Sequence, residues 1–420
     1  MMTASANPPD SGTTDEVIHD FAARLQFNDI IARAKKPGGA ATLTIEQRKF
    51  LLAALVGSVV PVDGKIKPCE LETLRDILAL RLNATGKTLE QAMDMASADL
   101  GAPEHFNLAA NRLQDLLSIE DLSREQIERI LDRAESFAEV SGREIKKVPA
   151  LRGRRVLNLF YEASTRTRSS FELAAKTLSA EVVNFASSGS SVEKGESLKD
   201  TIATLSAYGP DAIVVRHPHV GSARLVAQWT DAAVVNAGDG KHEHPTQALL
   251  DAFALRRRIG SLDGARIWIV GDVLHSRVAR SDILAFQQMG ARVTVCGPPT
   301  LIPRGIEALG CDVTYTLDGL GEADVIYALR MQRERMADNF VPSLREYARC
   351  YQINARRLGP QQVLMHPGPV NRGVELSAEV IDSPQAIITQ QVEAGVVVRM
   401  AVLYELLAGS GGAETAPVPE

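Results

Sequence analysis

Cysteine is scarce in this sequence: Cys69, Cys296, Cys311 and Cys350 are scattered over 420 residues with no C-x-x-C pair. That scatter argues against a structural zinc site and against a disulfide framework, and it suits a reduced compartment. No stretch reaches 18 uninterrupted apolar residues, the length a membrane-spanning helix needs. The opening residues M-M-T-A-S-A-N-P-P-D carry neither the positive start nor the apolar core of a secretory signal. An excess of positive charge is missing too, since 46 Lys and Arg stand against 52 Asp and Glu for a formal net charge of -6. No global basic field advertises nucleic acid or an anionic membrane, so any cationic site has to be built locally. These absences lead us to expect a soluble, cytoplasmic protein that binds neither.

Length favours about three domains, at roughly 100 to 200 residues each. Residues 1–15 and 409–420 are rich in small residues and proline, lack the apolar content that offsets ordering entropy, and are expected to be disordered tails. Residues 16–105 read as helices only: Ile45 to Val60 carries an apolar run, and Leu71, Leu74, Ile77, Leu78 and Leu82 recur at helical spacing after Pro68. Asp63-Gly64 lacks the alternating oxygen ligands of an EF-hand loop. Gly101 and Pro103 then interrupt the helical pattern and mark a boundary.

Beyond it, strand and helix patterns alternate. Ser123-Arg-Glu-Gln126 is a capping box before Ile127, Ile130, Leu131, Ala134 and Phe137, and a first helix is expected over Leu116 to Glu139. Strands are expected at Val156–Phe160, Val182–Phe185, Ala212–Arg216 and Ala233–Asn236. A second set follows at Arg266–Val270, Val293–Cys296, Asp312–Tyr315 and Asp324–Leu329, and Val363–Met365 later runs into H-P-G-P. Alternation of this kind predicts an α/β fold of two lobes, each a parallel sheet flanked by helices, preceded by a small all-helical domain. Ligands in such lobes sit beyond the carboxyl ends of the strands.

The strand ends are where unusual side chains gather. After Phe160 the chain reads Y-E-A-S-T-R-T-R, which sets Ser164, Thr165, Arg166, Thr167 and Arg168 at the start of a helix. Unpaired backbone N–H groups, the positive end of the helix dipole, hydroxyl donors and a guanidinium fork together make a phosphate cradle without the glycines of a P-loop. The alternative is a plain N-cap with surface arginines. The next strand ends deliver Arg216, in R-H-P, and His244 with Gln247, in H-P-T-Q-A-L-L-D. A lone histidine is more often a packing residue than a catalyst, but several polar groups converging on one rim favour a site. The second lobe adds Arg277, then Arg330 in R-M-Q, then the loop H-P-G-P from His366. Arginines at the ends of separate strands suit a second ligand with two or more carboxylates. No G-x-G-x-x-G follows I-V-G-D, so a dinucleotide site is not indicated.

The motifs F-Y-E-A-S-T-R-T-R-S-S-F-E, V-V-R-H-P, H-P-T-Q-A-L-L-D, R-M-Q and H-P-G-P, in this order, closely resemble the aspartate carbamoyltransferase catalytic-chain family over about residues 108 to 408. The resemblance implies carbamoyl transfer from carbamoyl phosphate to L-aspartate, the committed step of de novo pyrimidine biosynthesis. It implies a carbamoyl phosphate-binding lobe over residues 108–245 plus 391–408 and an aspartate-binding lobe over 246–390. Ser164, Thr165, Arg166 and Thr167 would bind the phosphate; Arg216, His244 and Thr167 would face the carbonyl oxygen; Gln247 and the Pro367 carbonyl would hold the carbamoyl NH2. Arg277, Arg330, Gln332, Gly368, Pro369 and Lys194 would bind aspartate. The stretch S-S-G-S-S-V-E-K-G-E matches the family's mobile loop, so Ser190 and Lys194 would reach a neighbouring subunit's site, with Ser191 beside Ser190, and a homotrimer is implied. No metal or other cofactor is expected; no general base stands out in the sequence, the identity of the proton acceptor stays open, and the departing phosphate is one candidate.

Two alternatives stand beside this reading. Ornithine carbamoyltransferase shares the cradle, but Arg277 and Arg330 would repel an ammonium side chain. A catalytically inactive scaffold using residues 16–105 for interaction should have lost members of the constellation, and every expected type is present. The N-terminal extension departs from the family. Its V-D-G-K-I-K-P-C-E-L resembles, over about ten residues, the helical domain of tellurite-resistance-associated proteins. Association with a dihydroorotase or a regulatory chain stays open.

Overall fold

The computed structural model describes residues 113–186, 195–332 and 340–408. The chain divides into two units, Met1–Arg112 and Leu113–Glu420. The expected helical domain at 16–105 and both expected tails lie outside the described residues.

Helix α1 (Arg124–Ser141) starts at the capping box: the Gln126 N–H donates to Ser123 Oγ at 3.2 Å and the Ser123 N–H donates to Gln126 Oε1 at 2.8 Å. The expected start at Leu116 is corrected by this cap. Leu116 is extended and bridges Val235, with its N–H donating to the Val234 carbonyl at 2.8 Å and its carbonyl accepting from Asn236 at 2.8 Å. The strand edge at Val234–Asn236 claims the Leu116 backbone, and the side chains of Leu113 and Leu116 join the same core.

From there the alternation runs as β1 (Arg155–Phe160), α2 (Thr165–Thr177), β2 (Glu181–Ala186), α3 (Leu198–Ser206), β3 (Ala212–His217), α4 (Ser222–Trp229), β4 (Ala233–Asp239) and α5 (Pro245–Ile259). The second half continues with β5 (Arg266–Val270), α6 (Arg277–Gln288), β6 (Arg292–Cys296), β7 (Asp312–Thr314), β8 (Val325–Ala328), α7 (Leu344–Tyr351), β9 (Val363–Met365), α8 (Ala378–Ile381) and α9 (Ile388–Leu407). The expected strands are all present within a residue or so, except that β4 runs on to Asp239, where it pairs with His217 of β3.

All strand pairs are parallel, in a sheet of order β2-β1-β3-β4 and one of order β7-β6-β5-β8-β9. β3 is buried throughout, as a strand covered on both faces must be. One core cluster unites Val156 and Val214 of the first sheet with Ile267 and Ile269 of the second, through α1, α5, α6 and α9. Smaller clusters seal the outer faces around Ile213 and Ile326. Helix α9 packs on α1, α2 and α5, which returns the end of the chain to the first sheet.

The strand orders decide where a ligand fits. In the first sheet the connections leave β1 in one direction for β2 and in the other for β3; in the second they part between β5 and β8. A crevice opens at the carboxyl ends of strands where the winding reverses. β1 leads to Arg166 and β3 contains Arg216, whereas β5 leads to Arg277 and β8 to Arg330. Four of the expected arginines thus mark the two reversal points.

Candidate active site

Ser164 caps α2 in an extended conformation; its Oγ accepts from the Thr167 N–H at 3.4 Å and donates to Thr167 Oγ1 at 2.9 Å. The first-turn N–H groups of Thr165 and Arg166 have no intrahelical acceptor, so the helix presents donors and a positive pole to the cavity. The Arg166 guanidinium lies against Gly368, whose φ of +62° and lack of Cβ allow that approach. Burial first, and the neighbouring Arg330 second, depress the Arg166 pKa. Two guanidinium groups held near each other form a place where an anion lowers the energy.

Arg216 donates to the Ala237 carbonyl at 3.0 Å and to Glu162 Oε1 at 2.8 Å. Arg277, the first residue of α6, is buried and donates to the same Glu162 oxygen. Glu162 therefore ties the end of the first sheet's β3 to the start of a second-sheet helix. His244 precedes α5, which begins at Pro245; its N–H donates to Ser281 Oγ at 2.9 Å, while Nδ1 has no partner among the described residues. Burial, then Arg216, Arg399 and Arg277, lower its pKa well below the ordinary histidine value. The imidazole is neutral, and it can donate from one nitrogen without adding charge. Gln247, one position after Thr246 in the first turn of α5, donates through Nε2 to both oxygens of Asp251 at 3.1 Å.

On the second sheet's side, Ser276 caps α6 by accepting from Ala279 at 3.1 Å, which fixes Arg277 in the first turn. Gln332 follows β8, and its N–H donates to Asp272 Oδ2 at 3.1 Å. In the turn after β9, the Gly368 N–H donates to His366 Nδ1 at 2.7 Å, and the His366 N–H donates to Gln391 Oε1 at 3.0 Å. Burial lowers the His366 pKa.

These strand ends enclose one cavity of about 730 Å³. It is lined by every expected site residue within the described segments: Ser164, Thr165, Arg166, Thr167, Arg216, His244, Gln247, Arg277, Arg330, Gln332, Pro367, Gly368 and Pro369. Ser190 and Lys194 lie outside the described residues. Glu162, Gln391 and Arg399 also line it and were not anticipated. Glu162 stood inside the quoted cradle motif, but its role needs β3 and α6 as neighbours. Arg399 did carry a signal, a single charge within V-V-V-R-M-A-V. It is fully buried with its guanidinium 4.9 Å over the Phe171 ring, and burial brings its pKa down to about 9. The lining holds five arginines and a single carboxylate, Glu162, a balance built for two anionic ligands at once.

Comparison with known proteins matches the same two halves. Residues 114–257 match the carbamoyl-P binding domain of aspartate/ornithine carbamoyltransferases, and residues 263–406 match the Asp/Orn binding domain. The aspartate carbamoyltransferase catalytic subunit of Salinispora arenicola is 58% identical over 305 residues, covering 71% of this chain and 99% of the relative. The corresponding subunit of Thermobifida fusca is 55% identical over 302 residues, covering 71% and 96%. Among solved structures, aspartate transcarbamoylase from Trypanosoma cruzi in complex with N-(phosphonacetyl)-L-aspartic acid superposes with a TM-score of 0.65 at 32% identity, covering 71% of this chain and 97% of that one. The catalytic subunit of M. Jannaschii aspartate transcarbamoylase gives a TM-score of 0.64 at 36% identity, covering 72% of this chain and 100% of that one.

Proposed function

The chain belongs to the aspartate/ornithine carbamoyltransferase family, and from that premise we propose how its residues divide the work of carbamoyl transfer to aspartate. The enzyme transfers the carbamoyl group of carbamoyl phosphate to the amino group of L-aspartate, giving N-carbamoyl-L-aspartate and phosphate. The observation that carries the aspartate reading is the pairing of Arg277 and Arg330 at the second sheet's reversal point, because guanidinium groups bind carboxylates and repel the ammonium of ornithine.

The phosphate binds at the amino end of α2, held by the first-turn N–H groups, the hydroxyls of Ser164, Thr165 and Thr167, and the Arg166 fork. Arg216, Thr167 and neutral His244 face the carbonyl oxygen, Gln247 and the Pro367 carbonyl hold the carbamoyl NH2, and Arg277, Arg330, Gln332, Gly368 and Pro369 receive aspartate. The neutral amine attacks the carbamoyl carbon, charge develops on the carbonyl oxygen, and the C–O bond to phosphate breaks. Donors already aimed at that oxygen need no reorganisation, and losing one costs roughly 10²- to 10³-fold in rate. Holding both reactants in one cleft supplies a further share of the acceleration. The departing phosphate takes the proton of the amine.

Lys194 and Ser190 complete a neighbouring subunit's site in a homotrimer. The carbamoyl phosphate lobe comprises 108–245 with 391–408 and the aspartate lobe 246–390, a division supported by α9 packing back on α1 and α2. The unpaired Cys296, Cys311 and Cys350 support a reduced cytoplasmic setting, and no helix of the described residues is long and apolar enough to cross a membrane. A purified-protein assay for N-carbamoyl aspartate tests the reading: turnover with aspartate and none with ornithine is expected. Turnover with ornithine alone, or with neither, overturns it.

A further inference from the structure

Next to the carbamoyl end of the cavity lies a group of buried polar side chains that the transfer chemistry does not itself use. Asp251, one helical turn after Gln247 on α5, is fully buried. Its carboxylate collects donors from three elements: Gln247 Nε2 at 3.1 Å to each oxygen, Gln391 Nε2 of α9 at 2.7 Å, and the Tyr327 hydroxyl of β8 at 2.7 Å. Asp282 of α6 is equally buried and turns its carboxyl toward Asp251 and Tyr327, yet neither of its oxygens has a well-aligned donor among the described residues. An ionised Asp282 would be a second, uncompensated carboxylate in a dry site, so it keeps its proton. The acceptor facing that proton is Asp251.

This arrangement orients two amides. With Nε2 of Gln247 committed to Asp251, the carbonyl end of that amide is the one left for the cavity. Gln391 spans from Asp251 to the His366 N–H, and so seats the turn that carries Pro367. We propose that Asp251 and Asp282 form a positioning pair in which one proton shared between two buried carboxyls holds Asp251 as the acceptor that aims Gln247 and, through Gln391, the Pro367 carbonyl at the carbamoyl NH2. The inference rests on the reading that Gln247 and Pro367 hold that NH2.

The groups facing the pair leave one titration to watch. Burial holds Tyr327 neutral, with its pKa well above 10. His244 before α5 and His366 after β9 have lowered pKa values, and burial raises Asp251 to about 6, opposed by its hydrogen bonds from Gln391, Tyr327 and Gln247 and by the α9 guanidinium of Arg399. Burial and the Asp251 charge raise Asp282 well above the ordinary carboxyl range. Rising pH therefore strips the shared proton from Asp282, and two adjacent carboxylates then push Asp251 off its amides.

The test measures binding of three probes to the full chain by calorimetry. Asp251→Asn should weaken carbamoyl phosphate roughly 10- to 100-fold, the cost of unpairing buried polar groups. It should change inorganic phosphate and acetyl phosphate, which lack the NH2, by less than about twofold. Equal weakening of all three would mean a merely structural role, and no weakening would mean none; either overturns the proposal. Gln247→Ala should abolish the preference for carbamoyl over acetyl phosphate. If it does not, the reading of Gln247 itself fails, whereas loss in Gln247→Ala with retention in Asp251→Asn sinks only the positioning pair. Asp282→Asn substitutes a permanent amide donor for the proton. The unsubstituted enzyme should lose about tenfold in carbamoyl phosphate affinity on the alkaline side and Asp282→Asn should not. An infrared carboxylic-acid C=O stretch should be present in the former and absent from the latter. A flat parent profile or a missing band refutes the shared proton even if Asp251→Asn does not fold.

Discussion

Arg330 offers the sharpest test of substrate assignment, because it follows β8 at the second reversal point and lines the cavity beside Gln332. Truncating it in Arg330→Ala removes a charge-assisted contact to an aspartate carboxylate, and each such hydrogen bond contributes about 1.5 to 3 kcal/mol. Arg330 is partly exposed, so water screens the pair and refills the vacated space; we therefore keep to the value of a single contact. At about 1.4 kcal/mol per decade, that predicts a rise of roughly 10- to 150-fold in the KM for aspartate. Initial rates against aspartate, at saturating carbamoyl phosphate, measure it directly. Arg330→Lys should recover only part of the loss, since an ammonium keeps the charge but not the two-pronged donor geometry. Inorganic phosphate binding, which belongs to the α2 end, should stay close to normal. An unchanged KM for aspartate in Arg330→Ala would refute the assignment of this arginine, and an equal loss of phosphate affinity would refute the separation of the two anion sites.

Arg166→Ala should damage phosphate handling, with carbamoyl phosphate affinity reduced by about 10-fold or more in a calorimetric titration; near-normal binding would contradict the cradle. Gly368→Ala should weaken the same ligand and also lower the folding temperature, because a residue with a Cβ is strained at φ +62° and its methyl group would push into the Arg166 guanidinium; unchanged affinity would mean that the contact is idle. His244→Ala should lower kcat by roughly 10²- to 10³-fold. Since burial and three arginines lower the His244 pKa, its ring stays neutral as pH falls through the ordinary histidine range near 6.5, and His244 should produce no acid limb there. An acid limb near that pH in the parent enzyme that vanishes in His244→Gln would show a histidine that charges, and would refute this electrostatic account.

Local chemistry made much of the site legible in the sequence. Hydroxyls and arginines packed into Y-E-A-S-T-R-T-R are poor core material after a buried strand, and they do stand at the amino end of α2. Ser123 and Gln126 set the start of α1 through a reciprocal cap whose partners are three residues apart. What failed locally failed for tertiary reasons. A helix is expected from Leu116, but the edge of β4 claims the Leu116 backbone. β4 was expected to end at Asn236, yet it runs to Asp239, where His217 of β3 supplies a partner.

Glu162, Asp251, Asp282, Gln391 and Arg399 show where single-sequence reasoning ends, since each acts through partners more than a hundred residues away or from another element. The sequence by itself determined the strand and helix alternation, the anion-binding helix start and the set of cations at strand ends, because those depend on periodicity, capping and composition within a few residues. Only the tertiary structure decided that the winding reverses between β1 and β3 and between β5 and β8, that both reversals open on one cavity, and that two buried carboxyls lie together beside it. Strand order and burial depend on how distant segments share a core, and burial sets which of these groups carries its charge.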